Sequence, residues 1–296
     1  MSNLREIQSR INSVRDTMKI TNAMYMIASS KLRKAKKSLK NTEPYFYTLQ
    51  DAIAKVIKQI PEDISLIYFN GKPKAADEKK KGYIVITGDK GLAGAYNHNV
   101  MKIAEGELKK EGDPVFFLIG QVGRNYFETK GIPYDTAFQY TVQNPTIRRA
   151  RVISGRILQM YREQKLDEVY IIYTRMIHSM ECRAEMKKLL PLEKADFQEK
   201  EESGGLNRQT NYLPTPYDVF KNIIPNYITG FLYGTLVQAY SSEQNSRMLA
   251  MESATRNARD MLKSLSVTYN RVRQAAITQE ITEVISGAKL LKRRKS

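Results

Sequence analysis

The stretch whose residue types come nearest to a reactive site is Thr87-Gly-Asp-Lys-Gly-Leu-Ala-Gly-Ala-Tyr-Asn97. It follows a strand-like run and precedes a helix-like one, so its glycines could let helix amides close around a phosphate. The spacing fits neither nucleotide fingerprint. There is no G-x-x-x-x-G-K-S/T, and Gly88, Gly91 and Gly94 do not follow G-x-G-x-x-G. A tight turn packed on neighbouring elements is the reading that remains. No nucleophile and base accompany it: His178 and Ser179 are neighbours only along the chain, which says nothing about a triad. The carboxylate pairs Glu62-Asp63 and Glu201-Glu202 fall in polar connections. Two histidines (His98 and His178) and one cysteine (Cys182) are too few for a zinc site built on imidazole and thiolate. The residues predict no catalytic group, metal or cofactor in this chain.

Surface chemistry is more telling. The formal net charge is +17. Residues 1–60 hold 12 basic and 4 acidic side chains, and residues 240–296 hold 11 and 5, so most of the excess lies in the two ends. A partner with an acidic surface should meet the termini. The run Lys31-Leu-Arg-Lys-Ala-Lys-Lys-Ser-Leu-Lys40 concentrates this charge. By contrast, Arg273–Ala288 ("RQAAITQEITEVISGA") is dominated by small or uncharged residues, with only Arg273, Glu280 and Glu283 ionised. The lone Cys182 excludes an internal disulfide and fits a reducing compartment. Met1–Lys19 alternates apolar and charged residues, so no secretory leader is expected there. Asn222–Ser242 carries no charge, but Pro225, Asn226, Gly230, Gly234 and Gln238 interrupt it. A buried helix is expected rather than a membrane span.

These surfaces must be carried by long helices. Alternating steps of three and four from Leu4 reach Ile60 through seventeen positions, of which fifteen are apolar. Such a sustained stripe seeks another helix. Pro44, lacking an amide donor, is expected to kink or break it near Thr42–Tyr45. Met248, Met251, Thr255, Ala258, Leu262, Leu265, Tyr269, Val272 and Ala276 repeat the rhythm, which then slips by one residue to Ile277, Ile281, Val284, Ala288 and Leu291. The two ends should pair with each other as an antiparallel coiled coil. Between them, Tyr83–Thr87, Val115–Ile119 and Val169–Tyr173 read as strands, with Arg183–Leu192 a further candidate. Helix-like stretches at Asn97–Lys110, Val122–Lys130 and Thr146–Gln164 intervene, the alternation of an α/β layer with a mainly parallel sheet. The expected plan is an inserted α/β (Rossmann-like) domain over 61–216, between coiled-coil helices over 1–60 and 217–296.

Three blocks resemble a known family. Leu4–Lys36 ("LREIQSRINSVRDTMKITNAMYMIASSKLRKAK") is similar to the opening of the gamma subunit of F-type ATP synthases. "TGDKGLAGAYN" resembles that family's TSDRGLxG turn, with Gly88 and Lys90 in place of the usual Ser and Arg. Ser242–Ala288 is similar to its C-terminal signature nearly position by position. The blocks occur in the family's order and span the chain.

The resemblance implies a rotor shaft inside a hexamer of alternating alpha and beta subunits, coupling ATP chemistry there to proton or sodium-ion flow through a membrane sector. It implies that Arg273, Gln274 and Thr278 contact a loop of the beta subunit, that Arg247 is another ring-facing residue, and that Met24 faces the beta subunit's acidic lever. Lys31, Arg33, Lys34, Lys36 and Lys37 would form a collar at the height of that lever. The central domain would meet the epsilon subunit and the membrane c-ring. The same resemblance implies a peripheral protein on the cytoplasmic face of a bacterial plasma membrane, with no membrane insertion and no nucleic acid. The tail Lys289–Ser296 ("KLLKRRKS") is basic where many members end in small apolar residues, and Glu193–Asn211 is a long polar stretch without assigned place. The competing class, from helix pattern and charge alone, is a coiled-coil adaptor or nucleic-acid-binding protein.

Overall fold

The structure, a computed structural model, describes residues 2–61, 67–69, 78–110, 113–178, 181–193, 197 and 212–294. Its elements run α1 (Ser2–Ile57), β1 (Lys81–Ile86), α2 (Tyr96–Leu108), β2 (Val115–Ile119), α3 (Gln121–Lys130), α4 (Ile147–Arg162), β3 (Glu168–His178), β4 (Glu181–Leu190) and α5 (Pro216–Arg294). Contacts divide the chain into two compact units: Met1–Ile27 with Met248–Ser296, and Ala28–Arg247. The long polar stretch 193–211 lies almost wholly outside the described residues. Within it Phe197 is buried, its ring 5.0 Å from that of Tyr227 and 5.5 Å from that of Phe69.

In the unit Ala28–Arg247 the four strands lie in the order β2-β1-β3-β4. β1 is parallel to both β2 and β3, and β4 closes the edge antiparallel to β3. Side chains alternate across the sheet, as a period of two requires. Tyr83 and Val85 of β1 and Phe116 and Leu118 of β2 turn to one face, packed with Val100 and Ala104 of α2 and Phe127 of α3. Ile84, Ile86, Phe117 and Ile119 turn to the other, where α4 and parts of both long helices cover them. Ala35, Ile53 and Val56 of α1 and Ile224, Ile228 and Leu236 of α5 belong to that second core. The uncharged Asn222–Ser242 segment is therefore core helix, and among the described residues no helix is long and apolar enough to cross a membrane.

α1 does not break at Pro44. It is one helix from Ser2 to Ile57. The Thr48 hydroxyl donates to the Pro44 carbonyl (2.9 Å), and Phe46 stacks on Tyr227 with centroids 5.1 Å apart. Packing on both sides of the proline holds the backbone helical despite the missing donor.

In the unit formed by the outer ends, the two helices pair through their stripes. Ile11 and Thr21 of α1 and Met251 and Ala258 of α5 are buried, and the Thr21 and Thr255 hydroxyls lie 2.8 Å apart. α1 begins nineteen residues before Thr21, and the stripe of α5 stays half-buried to Ala276, twenty-one residues after Thr255. Matching lengths in opposite chain directions mean an antiparallel pair.

Candidate partner-binding surfaces

The glycine-bearing turn after β1 is built for packing. Gly88 N–H donates to the Asn97 side chain (2.7 Å), and the buried Thr87 hydroxyl accepts from Gly123 N–H (3.0 Å) while donating to the Ile119 carbonyl (3.2 Å). Asp89 fills the place an anionic ligand would take. Its carboxylate accepts from Gln121 N–H at the first turn of α3 (3.1 Å), from Val142 N–H (3.1 Å) and Gln143 N–H (3.2 Å), and from the Thr141 hydroxyl. A helix N-terminus attracts negative charge, and here the chain's own carboxylate supplies it. Gly120 is the tightest point: its φ is +102°, and an added Cβ would lie 2.2 Å from the Thr87 carbonyl oxygen.

Arg247 crosses from α5 to this turn. Its guanidinium donates to the Gly91 carbonyl (3.0 and 3.3 Å), to the Lys90 carbonyl (3.2 Å) and to Glu243 (2.6 Å). Both side chains of the pair are buried. Burial pushes the Glu243 carboxyl above its ordinary range, against the pull of Arg247. Gly88 gives that carboxylate room, since a Cβ there would come within 3.1 Å of it. Ser241, Ser242, Gln244 and Asn245 are buried too, so this turn of α5 is enclosed on every side. The neighbouring Tyr96 hydroxyl donates to the Ala239 carbonyl (3.1 Å), and burial drives its pKa well up.

In the other unit, the outer end of α5 presents an open surface. Arg273, Gln274, Ala275 and Thr278 are exposed. Thr278 donates back to the Gln274 carbonyl (2.9 Å), Thr282 to the Thr278 carbonyl (2.8 Å), and Gln279 to Glu283 (3.0 Å). Polar groups folded onto their own helix leave a low-friction surface with few outward claims. Where the stripe slips, the pattern of burial changes: Ile277, Ile281, Val284 and Ile285 are all exposed, Val284 to 72%. The slip falls where α1 runs out, and among the described residues no helix covers these apolar side chains.

The family model for ATP synthase matches residues 3–291. A chain of Acetivibrio thermocellus named ATP synthase gamma chain is 44% identical over 300 residues, covering 99% of this chain and all of the relative. One of Ruminiclostridium cellulolyticum with the same name is 44% identical, covering 98% and 99%. The chain belongs to the ATP synthase gamma-chain family. Among solved structures, a chain of the Euglena gracilis mitochondrial ATP synthase (OSCP/F1/c-ring, rotational state 3) superposes with a TM-score of 0.66 at 15% identity, over 100% of this chain and 96% of that one; it shares the fold.

With the gamma-chain family established, the sequence-predicted site residues divide by accessibility. Lys31, Arg33, Lys34, Lys36 and Lys37 are all exposed, while Leu32 and Ala35 between them are buried. Met24 is half-buried on α1. Arg273, Gln274 and Thr278 share one exposed segment. Arg247 is the exception. Expected to face the ring, it is 8% exposed and spends its donors inside the chain. A buried guanidinium must satisfy its hydrogens locally, and the carbonyls of the glycine turn do so. Glu243 and Asp89 were not anticipated as partners of these elements; the i, i+4 spacing of Glu243 and Arg247 on a helix was the available signal.

Proposed function

We propose that this gamma chain turns as the central-stalk rotor of an F-type ATP synthase, relaying proton or sodium-ion flow to ATP chemistry in a ring of alpha and beta subunits. As a gamma chain it is a subunit of the ATPase complex and a peripheral component of a membrane-bound assembly. We further propose that it carries no catalytic group of its own, since the turn most like a phosphate cradle is filled by Asp89, and that it works on the cytoplasmic face of a bacterial plasma membrane. The observation that carries the reading is the outer end of α5. Its small, inward-bonded polar residues and exposed apolar ones suit a shaft bearing on successive copies of a sleeve.

On this reading Arg273, Gln274 and Thr278 engage a beta-subunit loop, Met24 and the five-cation collar meet the beta subunit's acidic lever, and the epsilon subunit and c-ring hold the α/β unit. Arg247 acts instead from inside, bracing the Lys90–Gly91 turn. Affinity purification through a tag on this chain tests the assignment. Alpha and beta subunits should be recovered in fixed stoichiometry and survive a salt wash. Recovery of the chain without them, or with salt-labile nucleic acid alone, would sink it.

A further inference from the structure

Helix α4 carries five arginines and no acidic residue. Two have inward employment. Arg149 donates to the Thr141 (3.0 Å) and Gln143 (2.6 Å) carbonyls, and Arg156 pairs with Asp135 (3.0 Å). Arg148 and Arg151 are exposed, and among the described residues no hydrogen bond or ion pair engages their side chains. Arg148 stands in the first turn, where the helix dipole disfavours a cation, and that turn holds no acidic residue to offset the cost.

The same face shows a second local cost. Gly155 lies mid-helix and exposed, with an ordinary helical φ, and an added Cβ would meet nothing within 4 Å. Glycine weakens a helix relative to alanine. The chain itself makes no use of the space at Gly155, which leaves the helix backbone there open to approach from outside. Arg148, Arg151, Val152 and Gly155 are spaced by three, four and seven residues and so share one side of the helix. Val152, 53% exposed, sits between the cations, and Ile147, 41% exposed, flanks them.

We infer that this face of α4 is a docking surface for a protein segment that carries carboxylates and passes close to the helix backbone at Gly155. The arginine forks supply charge-assisted, bidentate recognition. Val152 is the apolar contact at their centre, and the missing side chain at 155 lets the partner's backbone approach. A lipid headgroup layer would use the cations but has no use for a glycine, which favours protein over membrane. The inference rests on the chain being a subunit of an assembly.

The test uses the purified ATP synthase and, for comparison, the full chain alone, each bearing Val152→Cys in a Cys182→Ser background, with Thr129→Cys on exposed α3 as reference. Maleimide should label position 152 much more slowly in the complex than in the free chain. Arg148→Glu with Arg151→Glu, or Gly155→Gln, should restore labelling while alpha and beta subunits are retained. Gly155→Gln should leave thermal stability unchanged or raised, which a merely structural glycine would not. Equal labelling of position 152 in complex and free chain, relative to the reference, overturns the docking surface alone. Protection that vanishes when lipid is stripped with every protein subunit retained also overturns it, in favour of a membrane face. Failure to recover alpha and beta subunits strikes the proposed rotor function instead.

Discussion

Replacing Arg247 with alanine strands a buried carboxylate. The side chains of Arg247 and Glu243 are 10% and 4% accessible, so water cannot substitute for the lost guanidinium. Removing one partner of a buried pair costs about 3–5 kcal/mol. The lower end applies here, because the Lys90 and Gly91 residues, whose carbonyls also lose a donor, are exposed and can bond water instead. The deficit must depend on pH. Burial already holds the Glu243 pKa above its unfolded value, so in the folded chain it keeps its proton to higher pH than in the unfolded one. Stability from such a group is complete below the unfolded value and is lost as pH rises through the folded one. Arg247 lowers the folded value. Without it the window widens upward, and the variant loses a further ~1.4 kcal/mol for each unit of added separation once the pH exceeds both values. Denaturant unfolding of the full chain, followed through the Ala28–Arg247 unit at pH 5.5 and pH 8, should therefore show a small deficit that grows with pH. Tryptic cleavage at Lys90 should accelerate in parallel. Glu243→Leu combined with Arg247→Met should recover most of the loss, since apolar replacement of a buried pair removes the stranded charge. A deficit under about 1 kcal/mol, equal at both pH values, would refute the brace.

Gly120→Ala should cost at least about 3 kcal/mol, combining a left-handed φ with a 2.2 Å clash on the Thr87 carbonyl; loss of soluble chain or a lowered melting temperature reads this out. Arg273→Ala and Gln274→Ala should leave melting and assembly unchanged, both positions being exposed, yet slow ATP turnover of the assembled complex. A charge-assisted bond is worth about 1.5–3 kcal/mol, and full turnover at full assembly would count against the catch. Reversing Lys31, Arg33, Lys34, Lys36 and Lys37 to glutamate should preserve helix content by circular dichroism but impair assembly or coupling in a salt-dependent way. Each exposed pair contributes only about 0–1 kcal/mol, so a single neutralisation should do little. Wild-type coupling of the five-fold variant at low salt would reduce the collar to a solvated face.

What could be read in advance followed from periodicity, and what could not followed from distance along the chain. Every position of the stripe from Leu4 to Ile60, all but the last within α1, is buried or half-buried, because a repeat of 3.5 residues records a partner without naming it. The strand cores and the three short helices were legible for the same reason, to within a few residues at their ends. The helix runs unbroken through Pro44 because propensity is local, whereas the packing of Phe46 on Tyr227 joins residues far apart in sequence. The bonds that define the glycine turn are of the same long-range kind. Asp89 reaches residues 141–143, and Arg247 reaches 90 and 91, over separations at which residue type predicts no pairing.

The slip between Ala276 and Ile277 joins both kinds of signal. In sequence it is a change of phase; in the structure it marks the point beyond which α5 has no α1 beside it. A stripe that ended there by chance would have no reason to continue. Instead Ile277, Ile281, Val284 and Ile285 keep apolar side chains on an exposed helix, among threonines and glutamines bonded to their own helix. An isolated chain gains nothing from that arrangement, since exposed apolar area is unfavourable in water. The arrangement becomes favourable only inside a sleeve that covers the helix from all sides. Any sleeve that held those residues by specific polar contacts would resist the helix turning within it. Apolar contact is non-directional, so it can cover the shaft in every orientation; the catch we propose would leave the outward polar groups, Arg273 and Gln274 first among them, to distinguish one orientation from the next.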